Sequence, residues 1–129
     1  MCRFVGGAYG RSNERNMMLE IMNHGPIVVS LEPEYDFLHY KGGIYHSINA
    51  TEWIIYGLEK PEWEKVDHSV VCYGWGVTSE GEKYWLMRNS WGDKWGEGGD
   101  FKIRRGTDEI AVESLAEAMD PVIVDKTSL

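Results

Sequence analysis

The chain has 129 residues, a length typical of one domain, and 43% of them are hydrophobic and 26% charged. This is a globular profile, which excludes disordered and collagen-like chains. The formal net charge of -8 argues against a nucleic-acid partner, since phosphate binding needs basic patches. No apolar run approaches the ~18 residues of a membrane span, and the first residues show no signal-peptide core.

The beginning of the chain predicts a glycine-rich loop or irregular strand followed by a helix. The helix is expected from about Asn13 to Asn23, with Ser12 or Asn13 as its N-cap. Gly25 and Pro26 end it, because glycine suits a left-handed cap and proline cannot continue a helix. Four apolar residues fall near one helical face and are expected to pack in the core: Met17, Met18, Ile21 and Met22.

The next segments predict a strand, a short aromatic turn and a long loop. Ile27–Glu32 is β-branched and indicates a buried strand. Tyr35–Tyr40 indicates one turn of helix or a loop, and Lys41–Gly43 indicates a turn. Ser47–Lys65 is expected to form a surface loop. It contains Asn49-Ala50-Thr51, an N-glycosylation pattern that is used only in the secretory route.

The second half of the chain predicts a hairpin and further strands. His68–Gly76 indicates a strand that ends in glycines, Ser79–Glu82 a turn, and Lys83–Arg88 the returning strand. Asn89–Gly92 is expected to be the turn that follows. Two more strands are expected at Phe101–Arg104 and Val122–Val124. The sum is an α+β fold in which one helix packs on a twisted antiparallel half-barrel.

Most candidate ligands in the sequence have ordinary interpretations. His24 lies at a helix C-terminus, where an imidazolium suits the dipole, and His39 and His46 are expected to be solvated. No Cys/His spacing resembles a zinc site. Gly74-Trp75-Gly76 lacks the third glycine and the following helix of a phosphate loop. We therefore expect neither a metal nor a cofactor.

His68 and Asn89 occupy matching ends of the predicted hairpin. The amide oxygen of Asn89 can accept the imidazole N–H, which would fix the ring and its tautomer for general-base catalysis. Trp91 can cover that bond and keep water from it. Spacing alone also fits a structural histidine beside a turn asparagine, so both interpretations remain open at this point.

Several motifs, in order, resemble the C-terminal half of papain-family cysteine peptidases. They are H-G-P at 24–26, K-G-G-I-Y at 41–45, D-H-S-V-V at 67–71, G-W-G at 74–76, R-N-S-W-G at 88–92 and W-G-E at 95–97. Other stretches are similar to the cathepsin C-like (dipeptidyl peptidase I-like) branch of the family, among them 5–10, 35–41 and 104–109. The resemblance covers Val5 to about Ala118. It implies the right-hand, β-barrel-like domain of a two-domain fold with the active site between the domains.

The resemblance also implies roles for individual residues. His68 would be the catalytic base and Asn89 the residue that orients it. The backbone at Asp67 would contact the substrate near the scissile bond. Trp91 would shield the pair and shape the leaving-group side. Leu115 would lie at the floor of the S2 pocket, where an aliphatic side chain favours apolar substrate residues.

The sequence departs from the cathepsin C-like pattern at four positions. Phe4 stands in place of a tyrosine whose hydroxyl helps bind chloride at S2, and a phenyl ring cannot donate that hydrogen bond, so chloride is not expected. Asp100 replaces an aromatic residue, which predicts weaker local packing. Ser12 and Ile110 replace cysteines.

The nucleophile motif of the family, Q-x-x-x-x-x-C-G-S-C-W, does not occur in this chain. Cys72 lies four residues along the predicted strand from His68, which is ~13 Å, whereas a nucleophile must reach within ~3 Å of its base. We expect Cys72 to be a small buried hydrophobe. Cys2 matches no nucleophile motif, and Ser69 and Ser90 have no oxyanion-hole context.

The leading interpretation is that residues 1–129 form the His/Asn half of a peptidase that acts on peptides. Its partner would be a cysteine-bearing N-terminal half or heavy chain, and its compartment lysosome-like or secretory. The cathepsin C-like pattern implies a maturation cut within 47–65. Because the chain begins before that cut, we expect a fragment or truncated product rather than a mature light chain, poorly soluble or dimeric alone.

Two other interpretations remain. In one, the chain is a non-catalytic fragment or pseudopeptidase that binds partners through its exposed cleft face. In the other, it is an independent hydrolase that uses a resident side chain. An upstream cysteine motif would favour the peptidase, and activity insensitive to thiol alkylation would favour the independent hydrolase.

Overall fold

The computed structural model describes residues 1–48 and 66–121. In these ranges the strands are β1 Cys2–Phe4, β2 Ile27–Leu31, β3 Ile44–Tyr45, β4 His68–Val77, β5 Lys83–Arg88, β6 Asp100–Arg104 and β7 Leu115–Met119. The helices are α1 Glu14–His24, α2 Tyr35–Leu38 and a 3₁₀ turn at Glu109–Ala111.

The strands form one sheet in the order β1-β7-β2-β4-β5-β6-β3. Neighbouring strands are antiparallel, except that β3 runs parallel to β6. Helix α1 packs against β2 and β4. The α+β architecture predicted from the sequence is confirmed. α2 is the helical form of the turn expected at Tyr35–Tyr40, and the 3₁₀ turn was not predicted.

Helix α1 forms where its caps and its apolar residues predict. Asn13 is the N-cap, and its side chain accepts a hydrogen bond from the backbone N–H three residues later. Gly25 caps the other end at φ 95°, and its N–H donates to the carbonyl of Ile21 at 3.0 Å. Met17 is fully buried, but Met22 is 69% exposed. The prediction that Met22 packs in the core is wrong, because the buried stripe is narrow and centred on Met17.

The core lies on one face of the sheet, where alternate residues of each strand point inward. β2, for example, buries Ile27, Val29 and Leu31 and leaves the intervening residues partly exposed. Cys72 on β4 is fully buried, as predicted. The largest fully buried side chains are Trp85, Phe37, Phe101, Met17, Ile27, Leu31, Met87 and Ile103.

Strand β7 was not predicted, because L-A-E-A-M carries no β-branched residue. It forms through its neighbours: Ala116 pairs with Val29 of β2, and Ala118 pairs with Arg3 of β1. Both alanines are buried, which lets the sheet close tightly around the core. The predicted strand at 122–124, the glycosylation pattern at 49–51 and the loop over 49–65 lie outside the described residues.

Candidate active site

The β4–β5 hairpin brings His68 and Asn89 together. The two strands pair antiparallel with Val71 opposite Arg88, so Asn89, which follows β5, lies along the beginning of β4, two residues from His68 in register. The His68 Nε2 and Asn89 Oδ1 atoms are 2.8 Å apart. The juxtaposition that the sequence placed at the matching hairpin ends is therefore present.

The hydrogen bonds around Asn89 define which imidazole nitrogen carries the proton. The Oδ1 atom also accepts the backbone N–H of Ser90 at 2.8 Å. A backbone N–H can only donate, so the atom facing both partners is the oxygen of the amide. Nε2 of His68 must then be the protonated nitrogen. Nδ1 is left with the lone pair and is the atom able to take up a proton.

Asn89 is buried and held by its backbone, although its side-chain Nδ2 group makes no hydrogen bond among the described residues. The side chain is 6% exposed, and Nδ2 is buried without a hydrogen-bond partner among the described residues. Such a donor costs about 1–3 kcal/mol. The backbone N–H of Asn89 donates to the carbonyl of Gly99 at 2.9 Å. Gly99 is at φ 91°, and a Cβ there would approach the carbonyl oxygen of Gly92 to 3.3 Å, so glycine is required.

Trp91 lies over the His68–Asn89 pair. Its ring stacks on the imidazole with centroids 4.8 Å apart and an interplanar angle of 25°. The indole is 37% exposed, so it covers the imidazole on one side and faces the surface on the other. The structure thus places Trp91 against His68, and its shielding of the His68–Asn89 bond stays a prediction.

An aromatic cluster supports Trp91 from the protein side. Phe37 of α2 meets Trp91 edge-on at 5.7 Å, and Trp95 meets it at 5.2 Å. Sequence reasoning treated Tyr35–Tyr40 as an isolated aromatic turn and missed this connection. The available signal was spacing: Phe37 and Tyr40 share one face of a helical turn, and both contact Trp95.

Two further residues predicted for the site lie close to His68 along the sheet. Asp67 precedes the histidine, is exposed, and donates its backbone N–H to the carbonyl of Leu31 at 3.3 Å. Leu115 is buried on β7 and pairs with Ser30, which pairs with Ser69 on β4. Leu115 is thus two strand spacings, ~10 Å, from the residue that follows His68.

Phe4 is farther from the histidine. It lies on edge strand β1, three strand spacings or ~14 Å from β4. Its ring packs edge-on against Tyr9 with centroids 5.3 Å apart. The structure therefore brings His68, Asn89 and Trp91 into contact, whereas Leu115 and Phe4 lie two and three strands away from β4.

Asp100, which replaces an aromatic residue of the family pattern, has polar partners beside the site. Its carboxylate pairs with Arg88 at 2.9 Å and accepts the Tyr73 hydroxyl at 3.2 Å. Tyr73 is the extra residue of a β-bulge between Cys72 and Gly74, which turns its side chain toward β6. The loss of an aromatic ring is thus accompanied by a polar network that joins three strands.

Neither cysteine is placed to act on His68. Cys72 lies four residues along β4, and burial raises the pKa of its thiol to about 12. Cys2 is exposed on β1, three strands away, with Sγ 3.9 Å from a Glu117 carboxylate oxygen. Within 1–48 and 66–121 no cluster of three His, Cys, Asp or Glu side chains could hold a metal ion. No helix in these ranges is long and apolar enough to cross a membrane.

A family model described as "Papain family cysteine protease" matches residues 5–119. The chain belongs to the papain family. The bromelain protease from Ananas comosus, solved in complex with the E64 inhibitor, aligns with a TM-score of 0.69 and 26% identity. That alignment covers 90% of this chain and 47% of the bromelain chain. The papain-like α+β fold predicted from the sequence is confirmed.

Among curated papain-family relatives are cathepsins and a dipeptidyl aminopeptidase. A cathepsin C of Schistosoma mansoni is 45% identical over 93% of this chain, and cathepsin B-like protease 1 of Arabidopsis thaliana is 40% identical over 87%. Dipeptidyl aminopeptidase 1 of Plasmodium falciparum is 37% identical over 92%. This chain spans 26%, 27% and 19% of their respective lengths.

Proposed function

We propose that this chain supplies the catalytic histidine and its orienting asparagine to a cysteine-type peptidase. The observation that carries the proposal is the 2.8 Å contact between His68 Nε2 and Asn89 Oδ1, in an orientation fixed by Ser90. It leaves Nδ1 as the base. The nucleophilic cysteine comes from a cysteine-bearing N-terminal half or heavy chain outside these residues.

The reaction is nucleophilic acyl transfer from a peptide. Nδ1 of His68 takes the proton of the cysteine thiol, which gives a thiolate and an imidazolium. The thiolate attacks the peptide carbonyl carbon. The C–N bond then breaks as the imidazolium donates its proton to the leaving amine, and a thioester remains. Water, deprotonated by the same nitrogen, hydrolyses the thioester and releases the acid and the thiol. Nε2–H stays bonded to Asn89 throughout, which keeps the ring oriented.

The neighbouring residues have supporting roles in this proposal. Trp91 keeps water from the His68–Asn89 bond and borders the leaving-group side. The backbone at Asp67 contacts the substrate near the scissile bond. Leu115 forms the floor of the S2 pocket and favours apolar substrate residues there. Phe4 lies on the S2 side without a hydroxyl, so the enzyme needs no chloride.

A dipeptidyl peptidase activity is the finer form of the proposal. It is supported by relatives named cathepsin C and dipeptidyl aminopeptidase 1, and by the local cathepsin C-like stretches at 5–10 and 35–41. Because the chain belongs to the papain family, we also propose that the protein acts in a lysosome-like or secretory compartment. Hydrolysis of a dipeptidyl-coumarin with a free amino terminus, but not of its N-blocked form, tests the activity.

The decisive experiment traps the nucleophile. The chain is co-expressed with a cysteine-bearing papain-family N-terminal half and treated with a peptidyl electrophile that reacts only with activated thiolates. We expect label on the partner's cysteine and none on this chain. His68→Ala should abolish labelling, whereas His39→Ala, which alters the exposed histidine at the C-cap of α2, should leave it unchanged. Equal labelling with His68→Ala refutes the proposal, and stable binding of the two halves without labelling favours the non-catalytic binding module.

A further inference from the structure

We propose that Phe37 is a positioning residue of the site: its buried ring holds Trp91 in the stack over His68. The inference rests on the proposed function only in that it takes His68 to be the base. It means that Phe37 of α2, 31 residues before the histidine in sequence, helps to determine the geometry of the His68–Asn89 pair.

Phe37 lies at the centre of the buried part of the aromatic cluster. It is fully buried and meets four other rings, all with centroids between 5.0 and 5.7 Å. Those rings belong to Tyr45, Trp91, Trp95 and Phe101. Three of the contacts are edge-on, the geometry that aromatic quadrupoles favour. A ring bounded on so many sides has little freedom to move.

Trp91, by contrast, has few restraints of its own. It lies in the loop between β5 and β6, and its indole is 37% exposed. Its ring contacts are the stack on His68, the edge of Phe37 and the edge of Trp95. An exposed loop indole retains several rotamers unless neighbouring groups exclude them. Phe37 and Trp95 are the groups that do so here.

Helix α2 is itself fixed at both flanks, so it can act as a rigid support. The Trp95 indole N–H donates to the carbonyl of Leu38 at 3.1 Å. The Asp36 carboxylate accepts the Tyr45 hydroxyl at 2.7 Å and the backbone N–H of Ile48 at 3.3 Å. These bonds lie on either side of Phe37 in sequence. The side chains of a site keep their positions when the residues behind them are themselves held by packing and hydrogen bonds.

Phe37 affects the orientation of the His68 imidazole and does not take part in the reaction itself. The bond to Asn89 fixes one nitrogen of the imidazole, and the stack fixes the plane of the ring. If Phe37 is shortened, Trp91 gains rotamers, the imidazole plane loosens, and water reaches the Nε2–H. The Nδ1 atom then points correctly for only part of the time.

The test is nuclear magnetic resonance of the histidine ring in the 129-residue chain, which needs no enzymatic activity. Phe37→Leu removes the flat ring but keeps an apolar side chain of similar size. We expect the His68 ring protons to lose the upfield shift caused by the stacked indole. We also expect the nitrogen shifts to move from a single Nε2–H tautomer toward a mixture, and the Nε2–H to exchange faster with water.

Tyr35→Leu is the matched control. Tyr35 is an aromatic residue on the same helix, is 76% exposed, and stacks edge-on with the ring of His39 rather than with the cluster. Its replacement should leave all three signals of His68 unchanged. The indole N–H of Trp85, which donates to Glu113 at 2.9 Å in the core, reports that each variant is folded.

The outcomes separate the inference from the proposed function. If Phe37→Leu keeps the Trp85 signal and leaves His68 unchanged, the inference is wrong. If Phe37→Leu loses the Trp85 signal, Phe37→Met replaces it. In the unsubstituted chain, missing cross-relaxation between the Phe37 and Trp91 rings refutes the inference whatever the variants do.

Kinetics give the complementary measurement. In the complete peptidase, Phe37→Leu should lower kcat by roughly 10-fold to 100-fold with KM retained, since a misplacement of about 1 Å can cost ~10²-fold in rate. His68 signals that move as expected in a chain that never supports thiolate labelling would refute the proposed function and leave the positioning role intact.

Discussion

In the described part of the chain, β5 connects two polar networks that are each centred on a buried residue, Asn89 in one and Glu113 in the other. One lies where β5 ends, with His68, Asn89 and Ser90. The other surrounds Glu113, whose carboxylate accepts hydrogen bonds from the Trp85 indole at 2.9 Å and the Gly106 and Asp108 backbone N–H groups at 2.6 and 3.2 Å. Asn89 and Glu113 are equally inaccessible, each 6% exposed. Burial alone therefore does not separate a candidate catalytic network from a structural one.

The Glu113 network holds a strained turn. Asp108, Ile110 and Ala111 all have positive φ, and Ile110 at 45° is a β-branched residue in a region that such residues rarely occupy. The Glu113 backbone N–H donates to the Asp108 carboxylate at 2.8 Å. With the carboxylate of Glu113, this bond ties the turn from two directions. Strain of this kind, of order 1–3 kcal/mol per residue, persists only when surrounding contacts determine the conformation.

The two networks differ in how completely their hydrogen-bonding groups are paired. Both carboxylate oxygens of Glu113 have donors, and burial is the main cause of its raised pKa. At the site, the Nδ2 donor of Asn89 is unpaired among the described residues, and the stacked indole over His68 reaches the surface. A saturated network stabilises one conformation, whereas an incompletely saturated one beside a titratable ring is typical of a functional site.

The largest expected effect separates the two networks directly. His68→Ala in the complete peptidase should lower kcat/KM by roughly 10³-fold or more, since a general acid–base contributes ~10²–10⁴-fold. The free energy of unfolding should change little, because the imidazole makes one side-chain hydrogen bond. Steady-state kinetics and thermal unfolding measured on the same preparation check both. Retained activity would remove His68 from the mechanism.

The next effect concerns the cysteines. Burial raises the pKa of Cys72 to about 12, against an ordinary value of 9.0, so its thiolate population and its alkylation rate should fall about 10³-fold. Iodoacetamide at neutral pH should label Cys2 in the folded chain and both cysteines in denaturant, as counted by mass spectrometry. Rapid labelling of Cys72 in the folded chain would reopen the possibility of a resident nucleophile.

The site geometry could be predicted from the sequence where local patterns determine it. The hairpin followed from two β-rich runs with a turn between them, and that pairing places His68 beside Asn89 without further information. Trp91 followed from its position two residues after the asparagine. The Phe37 support could not be predicted in this way. It joins a helix and a loop distant in sequence. Spacing places Phe37 and Tyr40 on one face of the turn, but it does not say which distant rings that face will meet.

The missed elements have a common physical cause. β7 is stabilised by pairing across the sheet rather than by its own residues, as Ala118 opposite Arg3 of β1 illustrates. The Glu113 network could not be predicted from the sequence, because a lone glutamate in a polar segment resembles a surface residue. Only tertiary structure shows that it faces Trp85. Tertiary contacts override local propensity at these positions.

A third test breaks the saturated network. Glu113→Ala leaves the buried Trp85 indole without an acceptor, at about 1–3 kcal/mol before relaxation, and also removes the acceptor of two partly buried backbone N–H groups. We expect a loss of about 3 kcal/mol in the free energy of unfolding and a Tm lower by roughly 10 °C. Glu82→Ala is the control, since its exposed pair with Arg104 at 3.6 Å contributes about 0–1 kcal/mol. Calorimetry that shows equal losses would contradict the assigned role of Glu113.

The smallest effect is a pH dependence that belongs to the same carboxyl. Burial raises the pKa of Glu113 in the folded chain above its unfolded value, despite the three donors. Between those two values the folded chain binds more protons than the unfolded chain. The stabilisation from this group is therefore full below the unfolded pKa and declines as pH rises through the folded pKa.

Glu113→Gln removes the titration and keeps one acceptor oxygen. The difference in unfolding free energy between the two chains, measured by denaturant titration across that pH range, should shift in favour of the glutamine variant as pH rises. A difference that stays constant with pH would show that Glu113 titrates as it does in the unfolded chain, and the saturated network would then leave its carboxyl unperturbed.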